Sequence, residues 1–259
     1  MIGAIIGDIV GSRFEFNNTD KKSFQLFHPD CSYTDDTICT VAIADAILRN
    51  VDYKTALLEW CRRYPHPKGA YGGSFARWIF SADPQPYYSY GNGAAMRVSP
   101  VAWAFNSEAI VLREAIKATE VTHNHPEGLI GASVVARAIY LLRTMYCPSF
   151  MTGAVYSLVE AAYGENWDKQ HPARGVFDET CQGCVPLAFH ICAQSSSFES
   201  AIRTAIAWGG DSDTLAAIVG SLAEARWGVP HDLREGFAQY LPDDMLDVLT
   251  KFENKYVYE

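Results

Sequence analysis

Apolar residues recur along most of this 259-residue chain at intervals of three and four, which is the period of amphipathic helices and not of strands. The pattern predicts helices over residues 37–48, 55–63, 74–80, 94–104, 108–120 and 126–144. It continues over 152–163, 185–194, 198–207, 214–226, 233–240 and 244–256. Loops are marked by Pro65 and Pro67, Asp83-Pro84-Gln85-Pro86, Cys147-Pro148, His171-Pro172 and Pro230. No stretch reads as an interdomain linker. The expectation is all-α: a single compact, orthogonal multi-helix domain over residues 1–259. One apolar piece, Ile5 to Val10, fits helix or strand. Gly3, Gly7 and Gly11 fall four apart around it. If this piece is helical, they form one face suited to close backbone contact with another helix.

Composition narrows the functional classes. Hydrophobic residues make up 49% and charged residues 20%, enough to bury a sizeable core. The net charge of −9 argues against general affinity for nucleic acid or anionic membranes, although a local basic patch stays open. The apolar start of the chain has no cationic lead and meets Asp8 early, unlike a signal peptide, and no stretch matches a membrane span. Seven irregularly spaced cysteines suit reduced thiols and a cytoplasmic setting. Cys181-Gln182-Gly183-Cys184, near His190 and Cys192, has a zinc-like spacing. Its place before an apolar helical run favours two buried thiols.

The candidate chemistry lies in two acidic clusters. Thr34-Asp35-Asp36-Thr37 and Gly209-Gly210-Asp211-Ser212-Asp213-Thr214 each precede an apolar run, and neither contains Lys or Arg. Alone, each reads as an N-cap with acids on the helix dipole. Face to face, they would supply the all-oxygen shell preferred by Mg²⁺, Mn²⁺ or Ca²⁺. Asp8 and Glu15 stand in an otherwise apolar N-terminal segment, Glu15 between Phe14 and Phe16. Ser89-Tyr90-Gly91-Asn92-Gly93-Ala94-Ala95-Met96-Arg97 reads as a loop entering a small-residue helix, with amides available to a phosphate. Thr122-His123-Asn124-His125 reads as a capping turn whose histidines hydrogen-bond substrate or structure and do not ligate metal.

Taken together, these motifs resemble the ADP-ribosylglycohydrolase family, whose members include the dinitrogenase reductase-activating glycohydrolase. The matching run starts at Gly3-Ala4-Ile5-Ile6-Gly7-Asp8, takes in Glu15, and continues through Thr34 to Thr37, Ser89 to Arg97 and Thr122-His123 to Gly209 through Thr214. The motifs follow the family order over nearly the whole chain. The resemblance implies an all-α fold with a dinuclear Mg²⁺ or Mn²⁺ site at helix N-termini. It implies cleavage of the glycosidic bond joining ADP-ribose to a modified protein side chain or small conjugate. Thr34, Asp35, Asp36, Asp211, Asp213 and Thr214 would hold two divalent cations, with Asp213 as the bridge. Glu15 and Asp35 would be catalytic, orienting or deprotonating the attacking water. Ser89, Tyr90, Gly91, Asn92, Gly93, His123, Gly209 and Gly210 would bind substrate. Leaving-group choice would fall to the loops over 63–71 and 80–88. A departure from the family pattern is Ser212, where many members have Thr. Two other readings are a non-catalytic ADP-ribose-binding or crystallin-like relative, and a dinuclear phosphate-ester hydrolase. The latter is weakened by the lack of a basic clamp beyond Arg97.

Overall fold

The computed structural model describes residues 1–145 and 148–258, with side chains omitted over 148–152; the loop marker at Cys147 lies outside the described residues. The chain runs α1 (Ile2–Gly11), α2 (Asp35–Arg49), α3 (Tyr53–Arg63), α4 (Gly73–Ile79), α5 (Gly93–Met96), α6 (Ser99–Ala104) and α7 (Glu108–Glu120). It continues α8 (Pro126–Thr144), α9 (Pro148–Tyr163), α10 (Cys181–Gln194), α11 (Phe198–Trp208), α12 (Ser212–Trp227), α13 (His231–Gly236) and α14 (Asp243–Tyr256). Among the described residues there is no strand, only an isolated bridge between Gly91 and Thr180. Buried apolar side chains form one continuous cluster from Met1 to Phe252. No described helix is long and apolar enough to cross a membrane.

The ambiguous N-terminal piece is a helix, and every residue of it is buried. It lies against α12, which is also buried over most of its length. A Cβ on Gly3 would overlap the Gly220 carbonyl, one on Gly7 the Ala216 carbonyl, and one on Gly11 the Asp213 backbone. Contacts pairing rising numbers in α1 with falling numbers in α12 mean that the two helices run antiparallel, nearly backbone to backbone. The glycine stripe therefore does in water what small residues do in any close helix pair. Glu224 of α12 reaches back to accept from the Gly3 N–H at 2.9 Å and to pair with the Met1 amine.

Several helix boundaries differ from the periodicity, α9 among them, which starts at Pro148 and not at 152. The run over 94–104 splits into α5 and α6, because Pro100 enters the first turn of the second helix and disfavours a continuous helix before it. The stretch at 233–240 ends as α13 at Gly236 and passes into a 3₁₀ turn, Ala238–Tyr240; a side chain at Gly236 would collide with the Phe27 ring. Helix α10 starts four residues earlier than its apolar run, where the Thr180 hydroxyl accepts from the Gly183 N–H at 3.1 Å.

Candidate active site

The site forms where α1, α2 and α12 meet. Asp8, the one charged residue of α1, is fully buried and accepts from the Thr34 N–H at 3.0 Å and the Thr34 hydroxyl at 2.7 Å. It also accepts from the Thr37 N–H at 3.1 Å and from the Thr37 hydroxyl. A carboxylate from one helix thus satisfies the orphan donors at the start of another. Thr34, the N-cap of α2, in turn accepts from the Asp36 N–H at 3.2 Å.

Helix α12 opens opposite. Gly209 and Gly210 have φ of +79° and +78°, where a side chain is strained, and Gly210 also has no room for one against the Val176 carbonyl. Asn18 clasps this turn, accepting from the Gly210 N–H at 2.7 Å and donating to the Gly210 carbonyl at 3.0 Å. Asp211 follows as N-cap, held by the Asn92 amide at 2.6 Å. Thr214 donates to Asp36 at 3.0 Å, so the two acidic clusters touch directly.

Two carboxylate groups result. Asp8, Asp36 and Asp213 bring one oxygen each within 4.8 Å of one another, and so do Glu15, Asp211 and Asp213; Asp213 belongs to both. Asp36 Oδ1, Asp213 Oδ1 and Glu15 Oε2 are buried with no hydrogen-bond partner. Buried oxygens seldom go unpaired, and three such carboxylate acceptors, spread over two groups that share Asp213, match the donor set of hard divalent cations. Burial and mutual repulsion raise the affected carboxyls. Asp8 is pushed up to about 6, by burial. Glu15 is pushed up to about 7, by burial and then by the charges of Asp211, Asp8 and Glu179. Asp35, Asp36 and Asp213 stand well above their ordinary range, chiefly through burial and then neighbouring aspartates.

These groups open onto a cleft of about 360 Å³ lined by Glu15, Asp35, Asp211, Asp213 and Thr214 on one side. Ser89, Gly91, Asn92, Gly93 and His123 line the other. Larger clefts of about 640 and 720 Å³ lie by the C-terminal ends of α2 and α14, away from these carboxylates. Asp35 faces the cleft but stands outside both carboxylate groups. Tyr90 packs its ring edge-on against His125 at 5.2 Å and is 47% exposed. Gly209 and Gly210 lie behind the aspartates, against Asn18 and Val176. His123 is buried, its Nε2 beside Gly91 and Gly93 and its Nδ1 hydrogen-bonded to Thr122 at 2.7 Å. Burial, then the Arg97 charge, lowers its pKa and keeps the ring neutral. Arg97, 1% exposed, donates to the Thr122 hydroxyl at 2.6 Å, fixing the strap that carries His123. His125 serves structure: it caps α8 by accepting from the Glu127 N–H at 3.1 Å.

The sequence reading left several contributors unassigned. Asp8 was visible as the lone acid of an apolar helix, and Arg97 as the end of the Gly91-Asn92-Gly93 run. Asn18, Phe177 and Glu179 carry no local signal. Cys181 and Cys184 are buried free thiols, and among the described residues no Cys and His set comes together as a metal site.

Asp8→Asn should keep the fold while placing an amide nitrogen where Thr34 or Thr37 now donates. Thr34 and the first turn of α2 would then shift, and Mn²⁺ affinity should fall about 10–100-fold by titration calorimetry. Unchanged affinity would mean that Asp8 does not position the α2 acids. The raised carboxyls also set a pH dependence for the metal-free protein. Between about pH 4, where such groups titrate when unfolded, and the folded values of about 6 and 7, the native state holds more protons. Stability is therefore fully present below pH 4 as far as these groups are concerned and is lost as pH rises. In chelator, the melting temperature should drop from pH 5 to pH 8, and divalent cation should restore more of it at pH 8. A rise over that interval would contradict the clustering.

Comparison with known proteins bears on the fold and the family. The chain is 26% identical to human ADP-ribosylhydrolase ARH3, over 95% of this chain and 90% of that protein. It is 26% identical to ADP-ribosylarginine hydrolase Tri1 of Pseudomonas putida, over 88% of this chain and 70% of that one. A solved ADP-ribosylglycohydrolase-related protein complex superposes with a TM-score of 0.77 at 21% identity, covering 99% of this chain and 96% of its own. The family model for ADP-ribosylglycohydrolase matches residues 1–257. With the acidic N-termini of α2 and α12 meeting over a single cleft and that match running almost end to end, this chain belongs to the ADP-ribosylglycohydrolase family and is a glycohydrolase enzyme.

Proposed function

We propose that this enzyme hydrolyses the glycosidic bond between ADP-ribose and a modified protein side chain or small conjugate, using two Mg²⁺ or Mn²⁺ ions. The observation that supports it most is the pair of carboxylate groups sharing Asp213, with three buried oxygens unpartnered, at the floor of a cleft. Asp36, Asp211, Asp213 and Glu15 are the residues that would hold the cations, with Thr34, Asp35 and Thr214 completing the set. Bound there, divalent cations supply anchorage for the ribose hydroxyls and acidify a neighbouring water.

The chain's own residues carry the remaining work. Ser89 and Gly93 line the cleft where the diphosphate would lie, while the Gly91 N–H is spent on the Ser89 hydroxyl and the Asn92 N–H on the Glu179 carbonyl; neutral His123 offers its Nε2 side to the distal part of the substrate. Asn92 keeps Asp211 turned inward. Glu15, half-buried in the cleft wall, stands where it can orient the attacking water and take its proton as the anomeric bond breaks. Asp35 faces the cleft and favours the positive charge that develops on the sugar. The six described cysteines, all buried free thiols, support a reducing, cytoplasmic compartment.

The test is release of free ADP-ribose from ADP-ribosyl-arginine, ADP-ribosyl-serine and an O-acyl ester, with Mg²⁺, with Mn²⁺ and with chelator. Cation-dependent release from at least one is expected. Binding of ADP-ribose with no turnover of any would favour a non-catalytic relative; turnover undiminished by chelator would remove the metal role.

A further inference from the structure

The mouth of the cleft carries two aromatic rings that the core does not use. Phe16, next to Glu15, is 76% exposed, and Phe177 is 45% exposed. Their centroids lie 6.1 Å apart with planes only 11° off parallel, and both line the same cleft as Asp211 and Asp213. Phe16 comes from the segment after α1. Phe177 comes from the loop that covers Gly210 and pairs with the Gly91 strap, where the Asn92 N–H donates to the Glu179 carbonyl at 2.7 Å. The rings therefore bridge the two walls. Glu179 lines the mouth too, is exposed, and lies near enough for its charge to reach Glu15 and Asp211. Lys68, whose charge also reaches Glu15, is engaged on the Asp30 carbonyl.

Stacked phenyl faces beside an unpaired carboxylate suit one kind of leaving group. A guanidinium is flat, cationic and weakly hydrated, so it lies on a ring face while its forked N–H groups meet a carboxylate. A serine oxygen has neither plane nor charge and would leave these groups unused. We propose that Phe16, Phe177 and Glu179 form the leaving-group subsite and select ADP-ribose linked to arginine; this rests on the glycohydrolase reading above. The walls expected at 63–71 and 80–88 contribute Gly69 to Tyr71 and Tyr87, but the exposed aromatic pair comes from elsewhere. In the reaction, water oxygen bonds to the anomeric carbon and the C–N bond breaks with its electron pair on nitrogen. The proton released by water ends on that nitrogen, giving ADP-ribose and a free guanidinium.

The experiment compares kcat/KM on ADP-ribosyl-arginine and ADP-ribosyl-serine for the wild type and for Phe16→Leu, Phe177→Leu, Phe177→Tyr and Glu179→Gln. The wild type should favour arginine by about tenfold or more. The arginine-to-serine ratio should fall about tenfold in both leucine variants and in Glu179→Gln, mainly through KM. Phe177→Tyr, which keeps a ring face, should hold the ratio. A wild type that favours serine or treats both alike overturns the subsite while leaving the glycohydrolase reading intact. Equal losses on both substrates, with the ratio unmoved, overturn it as well. No turnover of either substrate, nor of the O-acyl ester, with Mg²⁺ or Mn²⁺ brings down both.

Discussion

Asp213→Asn is expected to lower turnover by about 10³-fold or more and to weaken Mg²⁺ or Mn²⁺ binding in the same variant. Asp213 is the residue common to both carboxylate groups, so no neighbour can replace its oxygens for either. The substitution is nearly isosteric, and Asp213 is buried on α12 with Oδ1 unpartnered, so packing should survive. Stability should move the other way. The wild-type carboxyl is destabilised first by burial and then by Asp211, Asp36, Glu15 and Asp8. Removing that charge should raise the melting temperature of the metal-free protein at pH 8, a trade of stability against function. Steady-state kinetics, calorimetric Mn²⁺ titration and thermal unfolding in chelator read the three effects. Near-normal turnover, or a lower metal-free melting temperature, would show that Asp213 does not link the two groups.

Gly7→Val is expected to destabilise the fold by about 3 kcal/mol or more, although it adds only three carbons. A Cβ at this position overlaps the Ala216 carbonyl, and the obstacle is helical backbone that cannot rotate aside. The helices would have to separate along the stripe of Gly3, Gly7 and Gly11. In a chain of this size the melting temperature should fall by roughly 10 °C. Activity should fall with it, even in the molecules that remain folded. Asp8 rides on α1 and Asp213 on α12, so a wider gap pulls the carboxylate groups apart. Gly153→Ala serves as a control: a Cβ there meets nothing within 4 Å, and the position is exposed and helical. Similar stability for Gly7→Val and wild type would mean that the α1–α12 contact is looser than described.

The two variants show how differently fold and site could be read before the structure. Most helices were legible because a 3.6-residue period is local: α7, α8 and α14 show it in their own residues. Some missed boundaries were set by a cap or a distant collision, such as Thr180 starting α10 and Phe27 excluding a side chain at Gly236, whereas the split at Pro100 had a local signal. The acids at Thr34 to Asp36 and Asp211 to Thr214 were legible as clusters. Asp8 was noticed but not placed, because its partners, Thr34 and Thr37, lie 26 and 29 positions away. Asn18 was invisible, since nothing in its neighbours announces a clasp on Gly210, 192 positions on.

The sequence by itself determined the all-helical character of this protein and its stock of hard-oxygen ligands, because helical period and residue chemistry are properties of short stretches. Only the tertiary structure decided that the glycine-striped first segment is a buried helix, that Asp213 belongs to both carboxylate groups, and that Phe16 meets Phe177 over them. Those facts depend on distances between remote segments, and it is the antiparallel packing of α1 on α12, beyond the reach of any local pattern, that fixes where those segments stand.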